Sequence, residues 1–158
     1  MTRRWPAPSY EVRMTFRAPL DFVYRWCTDY TPKDARYEQD EYERRIFRRS
    51  SREVVYEDLS ETKQGWFWSR HVVRLLPPNR WHSDTVGSHR EYSLDYRLQK
   101  LPGDRTQLTL RARRRPYGIG AKNRPKSQWE SSVAKSWRNF GRALERDYRR
   151  ASAPHTQR

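Results

Sequence analysis

The sequence predicts an α+β domain: a seven-stranded, curved antiparallel sheet wrapped around a long C-terminal α-helix, with one or two short helices between strands 1 and 2. Three observations lead there. Near the end of the chain, Trp129, Val133, Trp137, Phe140, Leu144 and Tyr148 recur at helical spacing, within an arc of about 100°, the width of a core-facing stripe. Ahead of that helix, successive short segments alternate apolar and polar residues, the period of a half-buried strand. Between those segments stand tight polar or proline- and glycine-bearing turns, short enough for hairpins, so the strands run antiparallel. A twisted sheet of that size curls, and the amphipathic helix is the element its concave face would cover.

Taken in order, Tyr10, Val12, Met14 and Phe16 alternate with Glu11, Arg13 and Thr15 as strand 1. Ala18-Pro19 ends it, and proline suits the first turn of a helix. Leu20, Phe22, Val23, Trp26 and Cys27 form the face of that short helix, which ends near Thr28–Tyr30. The polar stretch Thr31–Glu41 reads either as a second short helix or as a loop. Strands follow at Tyr42–Arg49, Glu53–Leu59, Trp66–Leu76, Arg80–Gly87, Glu91–Leu101 and Arg105–Arg113. Their connections are Ser50-Ser51, the loop Ser60–Gly65, Pro77-Pro78-Asn79, Ser88-His89 and Pro102-Gly103-Asp104. A basic loop, Arg114–Lys126, leads to the final helix, expected over Gln128–Arg150. Ser127 and Glu130 read as a capping box, with Pro125 blocking an earlier start. About 23 residues make a rod of about 34 Å. Gly141 near the stripe costs about 1 kcal/mol relative to alanine unless the sheet approaches closely there. Asp147 also falls on the apolar side.

The 158 residues fit one domain, with a core over about residues 9–150 and loose termini at 1–8 and 151–158. Hydrophobic residues make up only 34%, and the 7 Trp, 10 Tyr and 5 Phe must supply much of the core. The formal net charge is +15, and 28 of the 34 basic residues are arginine. Such a surface attracts phosphate on nucleic acid or acidic lipid, although the charges are scattered as a solvated face would scatter them. A single cysteine, Cys27, excludes an internal disulfide and fits a reducing, cytoplasmic setting. Met1–Ser9 has no apolar run of the signal-peptide kind, and no apolar stretch approaches the ~20 residues of a membrane span.

The order strand, short helix, six strands, long helix resembles the START-related or SRPBCC superfamily, whose members share the helix-grip fold of the birch-pollen allergen and of polyketide cyclases. The segment Val12–Tyr24 carries the local likeness: an alternating strand, Ala18-Pro19, then Phe22-Val23-Tyr24 opening the helix. The ending carries the rest: a strand, a glycine-containing loop and a closing amphipathic helix. The likeness spans about residues 9–150. It implies a cavity between sheet and C-terminal helix for a hydrophobic small molecule or lipid. It does not fix a reaction, because the superfamily spans carriers, receptors and enzymes. A polyketide cyclase/dehydrase-like enzyme using that cavity, and a charge-driven module for nucleic acid or acidic membrane, stand as alternatives.

Candidate site residues follow from the strand faces. In Trp66–Leu76, Trp66, Trp68, Arg70 and Val72 share one face, and Phe67, Ser69, His71 and Val73 the other. Two tryptophans hide more area, so the Trp66/Trp68/Arg70 face is expected inward. Arg70 would then anchor an acidic head group; otherwise its stem packs and its head reaches water. Tyr92 and Tyr96 share a face with Leu94 and Leu98, are expected inward, and could orient a ligand or move protons. Trp129, Val133 and Trp137 would line the helix side. His82 and Asp84 share a face and could form a base and its orienting carboxylate, although i and i+2 on a strand stand roughly 7 Å apart. Catalytic candidates are thus Arg70, His82, Tyr92 and Tyr96. Neither metal nor cofactor is expected: the four histidines and Cys27 lack zinc-ligand spacing. Gly118-Ile119-Gly120 lacks the third glycine of a dinucleotide fingerprint and reads as a hinge or lid. The basic runs Arg44-Arg45, Arg48-Arg49 and Arg111–Arg115 could grip single-stranded nucleic acid only if aromatic rings were left exposed beside them.

Overall fold

Alternation decides most of the sheet. In the last strand Thr106, Leu108, Leu110 and Ala112 are buried, while the residues between them are exposed or half-buried. The computed structural model describes residues 10–38, 42–63, 65–88, 90–116 and 125–153. The strands are β1 (Tyr10–Phe16), β2 (Glu43–Arg49), β3 (Glu53–Thr62), β4 (Gly65–Leu76), β5 (Arg80–Gly87), β6 (Arg90–Leu101) and β7 (Arg105–Pro116). The helices are α1 (Leu20–Cys27), α2 (Ala35–Glu38) and α3 (Lys126–Ser152), with a 3-10 turn at Pro32–Asp34. All seven strands form one antiparallel sheet in the order β1-β7-β6-β5-β4-β3-β2. The first strand thus closes on the last, and the polar Thr31–Glu41 stretch holds the 3-10 turn and α2. At the β6–β7 turn Gly103 takes a φ of +74°, which glycine adopts without steric cost.

The register arranges the concave face in rows. One row runs Leu75, Trp81, Tyr96, Leu110, Val12, and beside it lie Leu98, Leu108 and Met14. This end is packed solid: Phe16, Val23, Leu98, Leu108 and Leu144 are buried to 1% exposure or less. Each such side chain is worth about 1.5–3 kcal/mol on burial. In the other direction the rows turn polar. The next is Val54, Val73, Ser83, Leu94, Ala112; then Tyr56, His71, Thr85, Tyr92, Arg114; then Arg44, Asp58, Ser69, Gly87.

Helix α3 lies along β1 with its aromatic stripe inward. Trp129 packs on the Tyr10 ring at 4.7 Å, and Trp137 stands 6.3 Å from Phe16 and 6.1 Å from Tyr96. Gly141 permits a close approach: a Cβ there would meet the Phe16 ring at 3.1 and 3.2 Å. Asp147 is explained by α1, since its carboxylate accepts a 3.0 Å hydrogen bond from Trp26 Nε1. The capping box does not form. The helix starts at Lys126 with Pro125 as its cap and no side-chain cap bond. Glu130 instead accepts from the Glu11 backbone N–H at 3.3 Å, tying the helix to β1. The edge strand offers that carboxylate a backbone donor of its own, which competes with the helix's cap position. The Gly118-Ile119-Gly120 hinge expectation lies outside the described residues.

Candidate functional site

Because α3 lies along β1, and α1 and α2 cover only part of the rest, the polar rows of β3, β4 and β5 face open space. The result is a cavity of about 720 Å³ between sheet and helices. Small-molecule pockets run about 300–1,000 Å³. Its apolar wall is aromatic: Trp81 and Tyr96 stack at 4.7 Å with an interplanar angle of 7°, Trp137 of α3 stands 6.1 Å from Tyr96, and Phe140 packs on Trp137 at 5.4 Å. Its other wall is polar, and two groups organise it.

The first is His71, at the middle of β4. Its ring stacks on Tyr56 at 4.4 Å, its Nε2 lies 2.9 Å from Ser69 Oγ, and its Nδ1 lies 2.9 Å from Thr85 Oγ1. Both hydroxyls can donate or accept, so a neutral ring is satisfied on both sides. Burial, reinforced by the nearby Arg44 cation, pushes the imidazole down to about 3. At neutral pH His71 is therefore an uncharged hydrogen-bonding group and a weak base.

The second is Arg44 on β2, whose side chain is 5% exposed. It forms a fork on Asp58 (Nε–Oδ1 2.8 Å, NH2–Oδ2 2.9 Å), pairs with Asp34 of the 3-10 turn, and lies over the Tyr56 ring at 4.2 Å. Burial works against its charge, but the bonded carboxylates outweigh it and hold the guanidinium protonated. A buried cation is tolerated on these terms, paired and fully hydrogen-bonded. The same burial raises the Asp34 carboxyl above its ordinary value despite Arg44's opposing pull. Cys27 also lines the cavity, and burial, with Asp29 and Asp34 nearby, pushes its thiol up, so it is no nucleophile at neutral pH.

The structure brings Tyr92, Tyr96, Trp129, Val133 and Trp137 to the cavity wall. It corrects the facing of β4. Phe67, Ser69 and His71 point inward, while Trp66 is 62% exposed on the convex face and Trp68, 37% exposed, reaches only the rim. Arg70 is outside too, bonded to Glu57 by Nε at 2.8 Å, with its guanidinium 5.9 Å from the Trp68 ring. The reason is pairing. Trp66, Trp68 and Arg70 stand opposite Glu61, Leu59 and Glu57 of β3, whereas the inward parity continues Val54, Tyr56 and Asp58. His82 does meet Asp84, at 2.9 Å, and also Asp95, at 2.7 Å, but on the convex face, away from the cavity. Sequence reasoning missed His71 and Arg44. The alternation of Tyr42, Arg44 and Ile46, and the two arginines Arg70 and Arg74 sharing the tryptophan face of β4, are the signals that could have found them. Among the described residues no cluster of His, Cys, Asp or Glu could hold a metal ion, and no helix is long and apolar enough to cross a membrane.

This architecture is the helix-grip fold, which the chain shares with solved structures that include a START superfamily protein and an aromatase/cyclase. Solved structures superpose over nearly the whole chain. The protein TTHA0849 from Thermus thermophilus matches with a TM-score of 0.71 at 13% identity, covering 92% of this chain and 100% of its own. The Zhui aromatase/cyclase from Streptomyces sp. R1128 matches at 0.69 and 16%, covering 96% and 99%. A START superfamily protein from Mycobacterium smegmatis matches at 0.65 and 11%, covering 91% and 99%. No family model matches the sequence, and no curated protein matches it. At these identities the likeness is one of fold.

Proposed function

We propose that this protein binds an amphipathic, ring-bearing small molecule in the cavity between the sheet and α3. The observation that carries the reading is the unfilled space of about 720 Å³ over concave rows that are otherwise close-packed. The molecule's apolar body would lie against Trp81, Tyr96 and Trp137, and its polar end would reach Ser69, His71 and Thr85. A hydroxylated ring system suits this lining better than a lipid tail does, because the Ser69 and Thr85 hydroxyls, already bonded to His71, keep acceptor capacity that hydrocarbon cannot meet. Native mass spectrometry of the purified protein tests the reading: a stoichiometric small molecule that leaves on denaturation supports it, and a cavity that neither retains nor takes up any aromatic compound removes it.

Catalysis on the bound molecule is the second reading, in keeping with the aromatase/cyclase among the fold neighbours. Tyr92 and Tyr96 on the wall favour it, and Arg70 and His82 no longer belong to it. Turnover that survives Tyr92→Phe and Tyr96→Phe together would remove these residues from it. The charge-driven reading draws on the exposed Trp66 and Trp68 beside Arg70, since rings thought to be needed for the core stand on the surface. Its mark is affinity for nucleic acid or anionic vesicles that falls steeply with salt.

A further inference from the structure

The chain is strongly basic, yet the cavity lining among the described residues is not. Of the charged groups that line it, Asp34, Asp58 and Glu61 are carboxylates and Arg44 is the one cation among the described residues. Arg44 is already shared between Asp34 and Asp58. His71, the other basic group on the wall, is buried and neutral, and cannot balance the second carboxylate. Burial holds the Asp34 carboxyl above its ordinary value, Arg44's pull does not cancel that, and the neighbouring Asp58 carboxylate adds to the rise. Rings stand beside this group: Arg44 lies over Tyr56 at 4.2 Å and Tyr30 packs on Tyr56 at 5.2 Å, while Trp26 and Phe140, 6.2 Å apart, line the same cavity. Aromatic faces beside a carboxylate are the surroundings in which a desolvated cation is attracted rather than penalised. Arg114, whose Nε is buried without a hydrogen-bond partner, stands one strand beyond Tyr92 in the His71 row and does not line the cavity.

We propose that the cavity selects a cationic ligand, an aromatic or polycyclic molecule carrying a protonated amine, whose charge sits by Asp34 and Asp58 among the tyrosine rings. This rests on the ligand-binding reading above and adds the charge of the ligand to it. The preference runs against the field of the whole protein, which favours anions at the surface, so it is diagnostic of the interior.

The test uses three probes of one shape: 2-naphthylmethylammonium, 2-naphthalenemethanol and 2-naphthoate. Each is titrated into the 158-residue protein at neutral pH while tryptophan indole N–H shifts are followed by NMR. The ammonium is expected to bind at least about tenfold tighter than the carboxylate, with the alcohol between; a tenfold ratio is the size of one modest charge interaction. Asp34→Asn should shrink the ratio to about threefold or less while the melting curve stays cooperative. Glu61→Gln, at the rim, should lower it by a smaller factor and serves where Asp34→Asn does not fold. The carboxylate binding as tightly as the ammonium, or better, would overturn the proposal and move attention to Arg114. A ratio untouched in both folded variants would overturn it as well. Binding of none of the three probes would instead remove the ligand-binding reading itself.

Discussion

Gly141→Ala sets two effects of known size against each other. Alanine in a helix interior is favoured over glycine by about 0.8–1.0 kcal/mol. Against that, the new Cβ would stand 3.1 Å from Phe16 Cε1 and 3.2 Å from Cδ1. Carbon pairs prefer about 3.5–4.0 Å, so roughly half an ångström must be found. The Phe16 ring has little room to yield: it is 1% exposed and lies in the cluster with Leu108, Leu144 and Trp137. Overpacking of this kind costs about 1–3 kcal/mol. The balance is a loss of about 1 kcal/mol, or about 2–4 °C in Tm for a chain of this length. Urea denaturation with an unchanged slope would measure it. In a Phe16→Leu background the ring edge is gone, and Gly141→Ala should become neutral or stabilising; the double-mutant cycle isolates the contact. A rise in Tm for Gly141→Ala in the otherwise unaltered protein would refute the close approach of α3 to β1.

Three further perturbations probe the polar wall and the convex face. Arg44→Met leaves Asp34 and Asp58 buried without their cation and should cost about 3–5 kcal/mol in urea titrations, most of it recovered when both aspartates are also made asparagine; full stability in the single variant would contradict the buried triad. The two paired histidines should titrate in opposite senses. Burial opposes the His82 charge, but the bonds to Asp95 and Asp84 outweigh it and the net shift is upward, so its stabilising contribution is full below the unfolded value of about 6.5 and fades as pH rises through the folded value; His82→Gln should flatten that alkaline decline. His71, pushed down to about 3, should show no NMR titration between pH 5 and 8, and it should destabilise the fold as pH falls from about 6.5 toward 3. Trp66→Ser, on the convex face, should change stability by no more than about 0.5 kcal/mol, and a loss of several kcal/mol would restore the inward facing of that tryptophan.

The sheet, its turns and the closing helix were legible because each rests on a period. Strands β1, β6 and β7 bury one parity in the solid half of the molecule, where the ordinary rule of apolar inside holds. The same rule misdirects in β4, where the inward residues Ser69 and His71 are polar because the cavity above them stays open. Both parities of β4 carry aromatic residues, and only its pairing with β3 decides between them. Arg44 reads in sequence as half of a basic pair, and its burial depends on Asp34 and Asp58, 10 and 14 residues away. The failed capping box has the same origin, since Glu130 found its donor on β1, 119 residues earlier. Contacts set by tertiary pairing leave no local signature, and the polar half of the site consists of such contacts.

An open interior that takes up a ring-bearing molecule is the central claim, and the uncharged dye N-phenyl-1-naphthylamine reports on it without help from the +15 surface. Trp81, Trp129 and Trp137 line the cavity and would pass excitation energy to a dye inside it. The expected result is saturable one-to-one binding with tryptophan quenching, lost in a folded Ser83→Phe variant that fills the cavity floor. Absence of saturable binding, or binding that Ser83→Phe leaves unchanged, would contradict it.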